Sequence, residues 1–262
     1  MNKYDRFLLQ NMKAWDQRTS IHISSDFYNL NKFKTTKSSL NLIELKALGN
    51  INNKSILHLQ CHFGQDTLSL AHKGANVVGV DFSSEAIKYA ENLSKEMNIS
   101  AQFINEDVLQ LDINRDFDII FTSYGVLGWL PDLKSWAEVV AKHLKKGGVF
   151  FIAEFHPFIS LLDQNNKWNY FYKSKPDTEE KYGSYTDGGS DVLIKDNWWN
   201  HSLSEIFESL ELSGLKLLEF QEFDYSPYPL EGMIKRETGK YIIKERRNQL
   251  LPYVFTLKAT KK

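Results

Sequence analysis

Lys54 to Ser83, KSILHLQCHFGQDTLSLAHKGANVVGVDFS, is the stretch on which the fold turns. It reads as an apolar strand from Ser55 to Leu59, a short turn, a helix from Gly64 to Lys73, a Gly-Ala break and a second apolar strand, Val77 to Val80, that ends in Asp81. Strand, helix and strand in this order form half of a nucleotide-binding parallel sheet. In such a unit the first strand feeds a tight turn into a helix N-terminus. An acidic residue closing the second strand, about 20 residues on, accepts hydrogen bonds from a ribose diol. Asp81 stands at that place. A dinucleotide fingerprint wants G-x-G-x-x-G, whereas Gln60, His62 and Gly64 occupy this turn. The side chains of Gln60 and His62 intrude where a pyrophosphate needs close backbone approach. The pattern therefore disfavours a dinucleotide and suits a nucleoside without phosphates.

The alternation continues downstream. Ser83-Ser84-Glu85-Ala86 opens a hydroxyl-capped helix that runs to about Met97. Strands follow at Ala101 to Asn105 and Phe117 to Phe121, then a helix from Asp132 to His143 with Pro131 just before it. A further strand, Val149 to Phe155, is apolar until Glu154, as expected of a strand covered on both faces. This succession predicts a doubly wound parallel sheet. From His156 to Asn200 the periodicity fails, leaving a polar, aromatic-rich insertion with a possible hairpin around Asp187-Gly188-Gly189. Long irregular insertions in compact domains are more often functional than idle. Beyond it the sequence predicts a helix over Ser202 to Leu212, a strand over Leu215 to Phe223, a helix over Lys235 to Asn248 and a last strand over Tyr253 to Ala259. At the other end, apolar residues at helical spacing predict a helix over Tyr4 to Gln17, broken by the Trp15 to His22 segment, and a second over Ser39 to Leu48.

From roughly Ser55 to Glu154 these residues resemble the class I S-adenosylmethionine-dependent methyltransferases. Ile56 to Gly64 looks like that family's first motif, a strand ending in acidic-x-Gly-x-Gly-x-Gly, with His58 in place of the acid and Gln60 and His62 in place of two glycines. Asp81 matches the acid that binds the ribose hydroxyls, and Phe82 the neighbour that lies on the adenine. Asp107, in Asn105-Glu106-Asp107-Val108, matches the acid that receives the adenine amino group. The fourth strand and the Leu144 to Gly148 turn also match. The resemblance implies a mostly parallel seven-stranded, Rossmann-like sheet forming a single domain over 1–262. It further implies a helical N-terminal lid over 1–50 and a substrate-side insertion over 156–200.

The cofactor implied is S-adenosyl-L-methionine, with Gln60, Cys61, Gly64, Asp81, Phe82, Asp107, Val108 and Ser123 as candidates to bind it. Arg18, in the lid with Trp15, His22 and Tyr28, is placed to pair with the methionine carboxylate. Ligands of open parallel sheets sit beyond the carboxyl ends of the strands. Tyr124 after strand four, with Glu154 and His156 at the end of strand five, are therefore the candidates for orienting or deprotonating an acceptor. Tyr182, Tyr185, Trp198 and Trp199 of the insertion offer faces for a cationic or apolar acceptor. His58 and His62 are four apart but span a strand end and a turn, and the single Cys61 offers no thiolate pair, so no metal is expected.

Composition sets outer bounds. With 262 residues, 42% of them apolar and 25% charged, the chain can bury a sizeable core. A formal net charge of -1 gives no general attraction to nucleic acid or an anionic membrane. One cysteine suits a reducing cytoplasm, and no stretch approaches 18 apolar residues. The aromatic-proline signature of amino-group methylases of DNA and RNA is absent after strand four, where Ser123-Tyr124-Gly125-Val126 stands. The sequence thus predicts a cytoplasmic methyltransferase acting on a small molecule. A non-catalytic nucleoside-binding protein that kept the fold is the main alternative. An RNA methyltransferase or a nicotinamide oxidoreductase is less well supported.

Overall fold

The computed structural model describes residues 3–162 and 170–262. The chain opens with helix α1 (Asp5–Ser24), one long helix rather than a short one ending at Gln17. No glycine or proline interrupts this stretch, and Ala14, Arg18, Ile21 and His22 recur at helical spacing on a buried face. The expected break at Trp15 to His22 is therefore absent, and Arg18 and His22 are helical residues. Two short helices follow, α2 (Leu30–Thr36) and α3 (Leu42–Leu48).

The central unit is β1 (Ser55–Leu59), α4 (Gln65–His72) and β2 (Asn76–Asp81), as the opening motif predicts. Next come α5 (Ser84–Met97), β3 (Gln102–Asn105), β4 (Phe117–Ser123), α6 (Leu133–His143) and β5 (Leu144–Phe155). Ser83 and Asp132 cap α5 and α6 through side-chain bonds to Ala86 N and to Lys134 and Ser135 N. The insertion holds an antiparallel hairpin, β6 (Asp177–Tyr182) and β7 (Leu193–Trp198), with Asp187-Gly188-Gly189 in its connection. The part of the expected insertion at 163–169 lies outside the described residues. Helix α7 (Leu203–Leu212) and strand β8 (Leu215–Phe223) match expectation.

The helix expected over Lys235 to Asn248 is instead a second hairpin, β9 (Met233–Glu237) and β10 (Lys240–Ile243). Gly239, at φ 70°, turns the chain back in the left-handed region that a helix interior excludes. β-Branched Ile234 and Ile242 suit the pleat, and Ile242 is buried against Ile43, Tyr253 and Val254. The chain closes with β11 (Val254–Lys261).

Seven strands form one sheet in the order β3-β2-β1-β4-β5-β11-β8. Only β11 runs against its neighbours, antiparallel to both β5 and β8. Both faces are covered. Leu57, Leu59, Val80, Ile120 and Phe150 meet Trp136 and Val140 of α6 on one side. Ile56, Phe121 and Phe151 meet Leu40 and Leu70 on the other. Each such side chain withdrawn from water contributes about 1.5–3 kcal/mol. The rigid slab so formed ends at the carboxyl tips of β1, β2, β3 and β4, and the strand order reverses between β1 and β4 there.

Candidate active site

The turn after β1 has the backbone of a glycine loop with only one glycine in it. Gln60, His62 and Gly64 all take positive φ, at 55°, 49° and 84°. For a non-glycine residue the left-handed region costs roughly 1–2 kcal/mol. The neighbouring contacts offset that cost. Cys61 N donates to Val80 O at 2.9 Å, His62 N to Asp81 Oδ2 at 2.8 Å, and Gln60 Nε2 to Val126 O at 2.9 Å. Gly64 cannot be replaced in the same way: a Cβ there would sit 2.9 Å from both Ala90 Cβ and the Phe103 ring. Gln60 and His62, by contrast, carry side chains that form part of a cavity wall.

That cavity, about 700 Å³, lies over the carboxyl ends of β1 to β4, within the size range of small-ligand sites. It brings together Gln60, Cys61, Gly64, Asp81, Phe82, Asp107, Val108, Ser123 and Tyr124, all anticipated from sequence. Asp81 is 7% exposed, and its two oxygens accept from Ser83 N at 2.9 Å and His62 N. Burial raises its carboxyl to about 6 although these bonds pull the other way. Asp107 Oδ1 accepts from Leu109 N at 3.0 Å, and burial raises this carboxyl too. The Cys61 thiol is pushed well up by burial and then by Asp81, which makes it a packed group and not a nucleophile.

Of the anticipated binding and catalytic residues, Arg18, Glu154 and His156 do not line the cavity; nor do His22 of the lid, the exposed Tyr182, or Trp199, which is buried against Tyr4 and Phe7. Arg18 is 3% exposed and forms a buried ion pair with Asp196 of β7, so its charge fastens α1 to the insertion hairpin and is not offered to a ligand carboxylate. The reciprocal bonds Asn11 Nδ2 to Asn197 O (2.9 Å) and Asn197 N to Asn11 Oδ1 (2.8 Å) reinforce that seam. Glu154 is 5% exposed and spends both oxygens on backbone N–H groups of Gly125, Val126, Leu127 and Phe155. It braces the turn after β4, in which Tyr124 and Gly125 have positive φ, and has no oxygen left for an acceptor. His156 accepts from Phe158 N at Nδ1 and holds Glu222 at 3.0 Å through Nε2, on the side of β11 and β8. His201, at the start of α7, bonds Leu130 O.

Of the lid and insertion residues singled out from sequence, Trp15, Tyr28, Tyr185 and Trp198 line the cavity; Asp66, Trp129 and Tyr228 also line it but carry no motif and were not legible. His22 Nδ1 lies 2.9 Å from His62 Nε2, and His22 Nε2 lies 2.8 Å from Ser184 Oγ. Burial first, then His62 and Arg18, lower His22 to about 2; burial and Arg18 lower His62 to about 3. Trp15 stands edge-on to both His62 and Trp129, with ring centres 5.1 and 5.3 Å away, and roofs the turn. Tyr28 and Tyr185 share a hydroxyl contact of 2.5 Å, and Tyr228 meets Tyr124 edge-on at 5.0 Å. Burial pushes the phenols of Tyr28, Tyr124 and Tyr228 well above their ordinary value. Glu44, behind Tyr124, is raised to about 7 by burial and then by Asp66. The sequence signal for Asp66, an acid in the first turn of α4, looks the same as an ordinary helix-dipole carboxylate.

A nucleoside with a polar tail fits this lining. Gln60 Oε1 and His62 Nδ1 are buried polar atoms without a protein partner, both on residues of the cavity wall. Asp81 and Asp107 retain acceptor capacity beyond their backbone bonds. Among the described residues no group of three His, Cys, Asp or Glu converges on a possible metal position.

The sheet order, the loop after β1 and the two strand-end acids are those of the fold shared by class I S-adenosylmethionine-dependent methyltransferases. The comparisons agree. The sequence model of the methyltransferase domain matches residues 56–148, the stretch that holds β1 to β4 and α4 to α6. The chain is 27% identical over 172 residues to a ubiquinone biosynthesis O-methyltransferase of Proteus mirabilis (strain HI4320), covering 58% of this chain and 66% of that one. It is 26% identical over 196 residues to a carboxy-S-adenosyl-L-methionine synthase of Nautilia profundicola, covering 70% and 79%. The chain thus spans just under two thirds of the first relative's length. In fold it is similar to an S-adenosylmethionine-dependent methyltransferase from Clostridium acetobutylicum, with TM-score 0.59, 20% identity and coverage of 92% and 94%.

Proposed function

We propose that this protein transfers a methyl group from S-adenosylmethionine to a small organic acceptor in the cytoplasm. The observation that carries the reading is the pairing of Asp81 and Asp107 in one cavity at the switch point of the sheet. Asp81 would hold the ribose hydroxyls, Asp107 the adenine amino group, and Phe82 and Val108 the faces of the base. When bound, the cofactor supplies an electrophilic methyl group on a sulfonium. The protein's own share is alignment and the exclusion of water, which can lower a barrier by about 7 to 11 kcal/mol. Trp15, Trp129 and Trp198 close one side of the cavity, while Tyr124 and Tyr228 line the other. This aromatic lining favours a small molecule over a polymer. Relatives named for ubiquinone biosynthesis and for carboxy-S-adenosyl-L-methionine synthesis support small-molecule chemistry. Among the described residues no helix is long and apolar enough to cross a membrane, and the lone Cys61 suits a reducing compartment.

Calorimetric titration with S-adenosylhomocysteine and, separately, NADH tests this reading. Binding of the first alone is expected, followed by methyl transfer from S-adenosylmethionine to a member of a small-molecule panel. A folded sample that binds neither defeats it.

A further inference from the structure

The first motif of this chain lacks its acid, and the structure shows why position 58 cannot supply one by other means. His58 is 2% exposed, its Nδ1 lies 2.8 Å from Thr67 Oγ1, and its ring tilts against Phe121 with centres 4.8 Å apart. Burial lowers the imidazole to about 3, so it is a neutral core group that offers nothing to a cation.

One carboxylate lies close by and lines the cavity, and neither the motif nor the fold accounts for it. Asp66, on the first turn of α4, accepts from Ser39 Oγ at 2.5 Å and from Ser123 Oγ at 3.1 Å. These hydroxyls occupy one lone pair on each oxygen and leave the carboxylate, which lines the cavity, with further acceptor capacity. No Lys, Arg or His forms an ion pair with it among the described residues. Arg18, the buried cation expected near the cofactor's tail, is already taken by Asp196. A buried carboxylate without a cation is costly unless a ligand brings one.

The sheet register places this carboxylate at the right end of the cavity. β1 pairs with β2 on one side and β4 on the other, so Asp81 at the tip of β2 and Ser123 at the tip of β4 are two strand spacings apart, about 10 Å. With its ribose at Asp81, the cofactor would reach Ser123 and Asp66 with its amino-acid tail, on the far side of β1.

We infer that Asp66, on the first turn of α4, binds the α-ammonium of the cofactor's amino-acid tail. The assignment rests on the cofactor reading above. Ser39 and Ser123 act as positioning residues that hold the carboxylate, and Ser39 ties the segment before α3 to the same point through its N–H bond to Ser69 Oγ at 2.9 Å.

The test compares two probes on the full chain by calorimetry: S-adenosylhomocysteine, which has the tail, and 5′-methylthioadenosine, which lacks the ammonium. Asp66→Asn is expected to weaken the first by about 10- to 100-fold, the worth of one hydrogen bond to a charged group, and to leave the second unchanged. Retained 5′-methylthioadenosine binding also reports that the variant is folded. Unchanged S-adenosylhomocysteine affinity, or equal loss of both probes, overturns the assignment. A wild type that binds 5′-methylthioadenosine but not S-adenosylhomocysteine overturns it too, while leaving the nucleoside site standing. A wild type that binds neither probe removes the cofactor reading itself and this assignment with it.

Discussion

His22 Nδ1 and His62 Nε2 lie 2.9 Å apart, joining the first helix to the left-handed turn after β1. Only one proton fits between two imidazole nitrogens, so the contact requires at least one ring to be neutral. Both are held neutral, at about 2 and about 3, by burial and by Arg18.

That pair predicts acid sensitivity with a definite sign. In the unfolded chain each histidine gains a proton near pH 6.5, whereas in the folded protein it does so only near pH 2 to 3. The unfolded state therefore binds more protons through that window, and stability falls as pH drops below about 6.5. Glu44 and Asp81, raised to about 7 and about 6, act oppositely: they favour the fold at low pH and lose that contribution as pH rises. The difference between wild type and His22→Gln removes these shared terms. Wild type should lose on the order of 2 kcal/mol relative to the variant between pH 6.5 and pH 5. Thermal melts across that range check this, and parallel curves would mean that His22 titrates normally.

Asp81→Asn should weaken S-adenosylhomocysteine and 5′-methylthioadenosine alike, each by about 10- to 100-fold, because the ribose is common to both. The parallel loss separates Asp81 from Asp66, whose substitution should discriminate between the two. Calorimetry with both probes decides, and a variant that binds either one as tightly as wild type rules out the ribose role.

The strand and helix alternation from Ser55 to Phe155 could be read because each strand is an apolar run bounded by caps that act locally, Ser83 and Asp132 among them. The places of Asp81 and Asp107 at the cavity could be read in the same way, since one closes β2 and the other follows β3 by two residues. Arg18, Glu154 and His156 were misplaced because their partners lie far along the chain. Asp196 is 178 residues from Arg18, and the four N–H groups held by Glu154 follow from how β4 and β5 lie together. The hairpin at β9 and β10 was missed because a run rich in Lys, Arg and Glu suits an exposed helix by composition. Only the Gly239 turn and the burial of Ile242 decide otherwise. Asp66 and the His22–His62 contact were invisible, since each depends on the N-terminal segment folding back over the turn.

Gln60 tests the cost of the altered loop. Gln60→Ala removes the bond to Val126 O but keeps a Cβ at φ 55°, whereas Gln60→Gly removes both. The glycine variant should be the more stable of the two by about 1 kcal/mol, or roughly 2–4 °C in Tm. Equal melting temperatures would show that the turn relaxes out of the left-handed region when the side chain is cut.

Glu154→Gln separates a brace from a general base. Oε1 accepts from Gly125 and Phe155 N–H, and Oε2 from Val126 and Leu127 N–H at 2.8 and 3.1 Å. Whichever oxygen becomes an amide nitrogen, two buried N–H groups lose their acceptor and face a donor, at about 1–3 kcal/mol each. The variant should melt well below wild type, by roughly 5–15 °C. Because the same turn carries Tyr124 at φ 31°, a parallel weakening of S-adenosylhomocysteine binding is expected. A base would behave differently: its amide variant would keep the wild-type Tm and ligand affinity and lose only kcat. Circular dichroism melts read beside single-turnover methyl transfer distinguish the two, and an unchanged Tm with kcat abolished would return Glu154 to the chemistry.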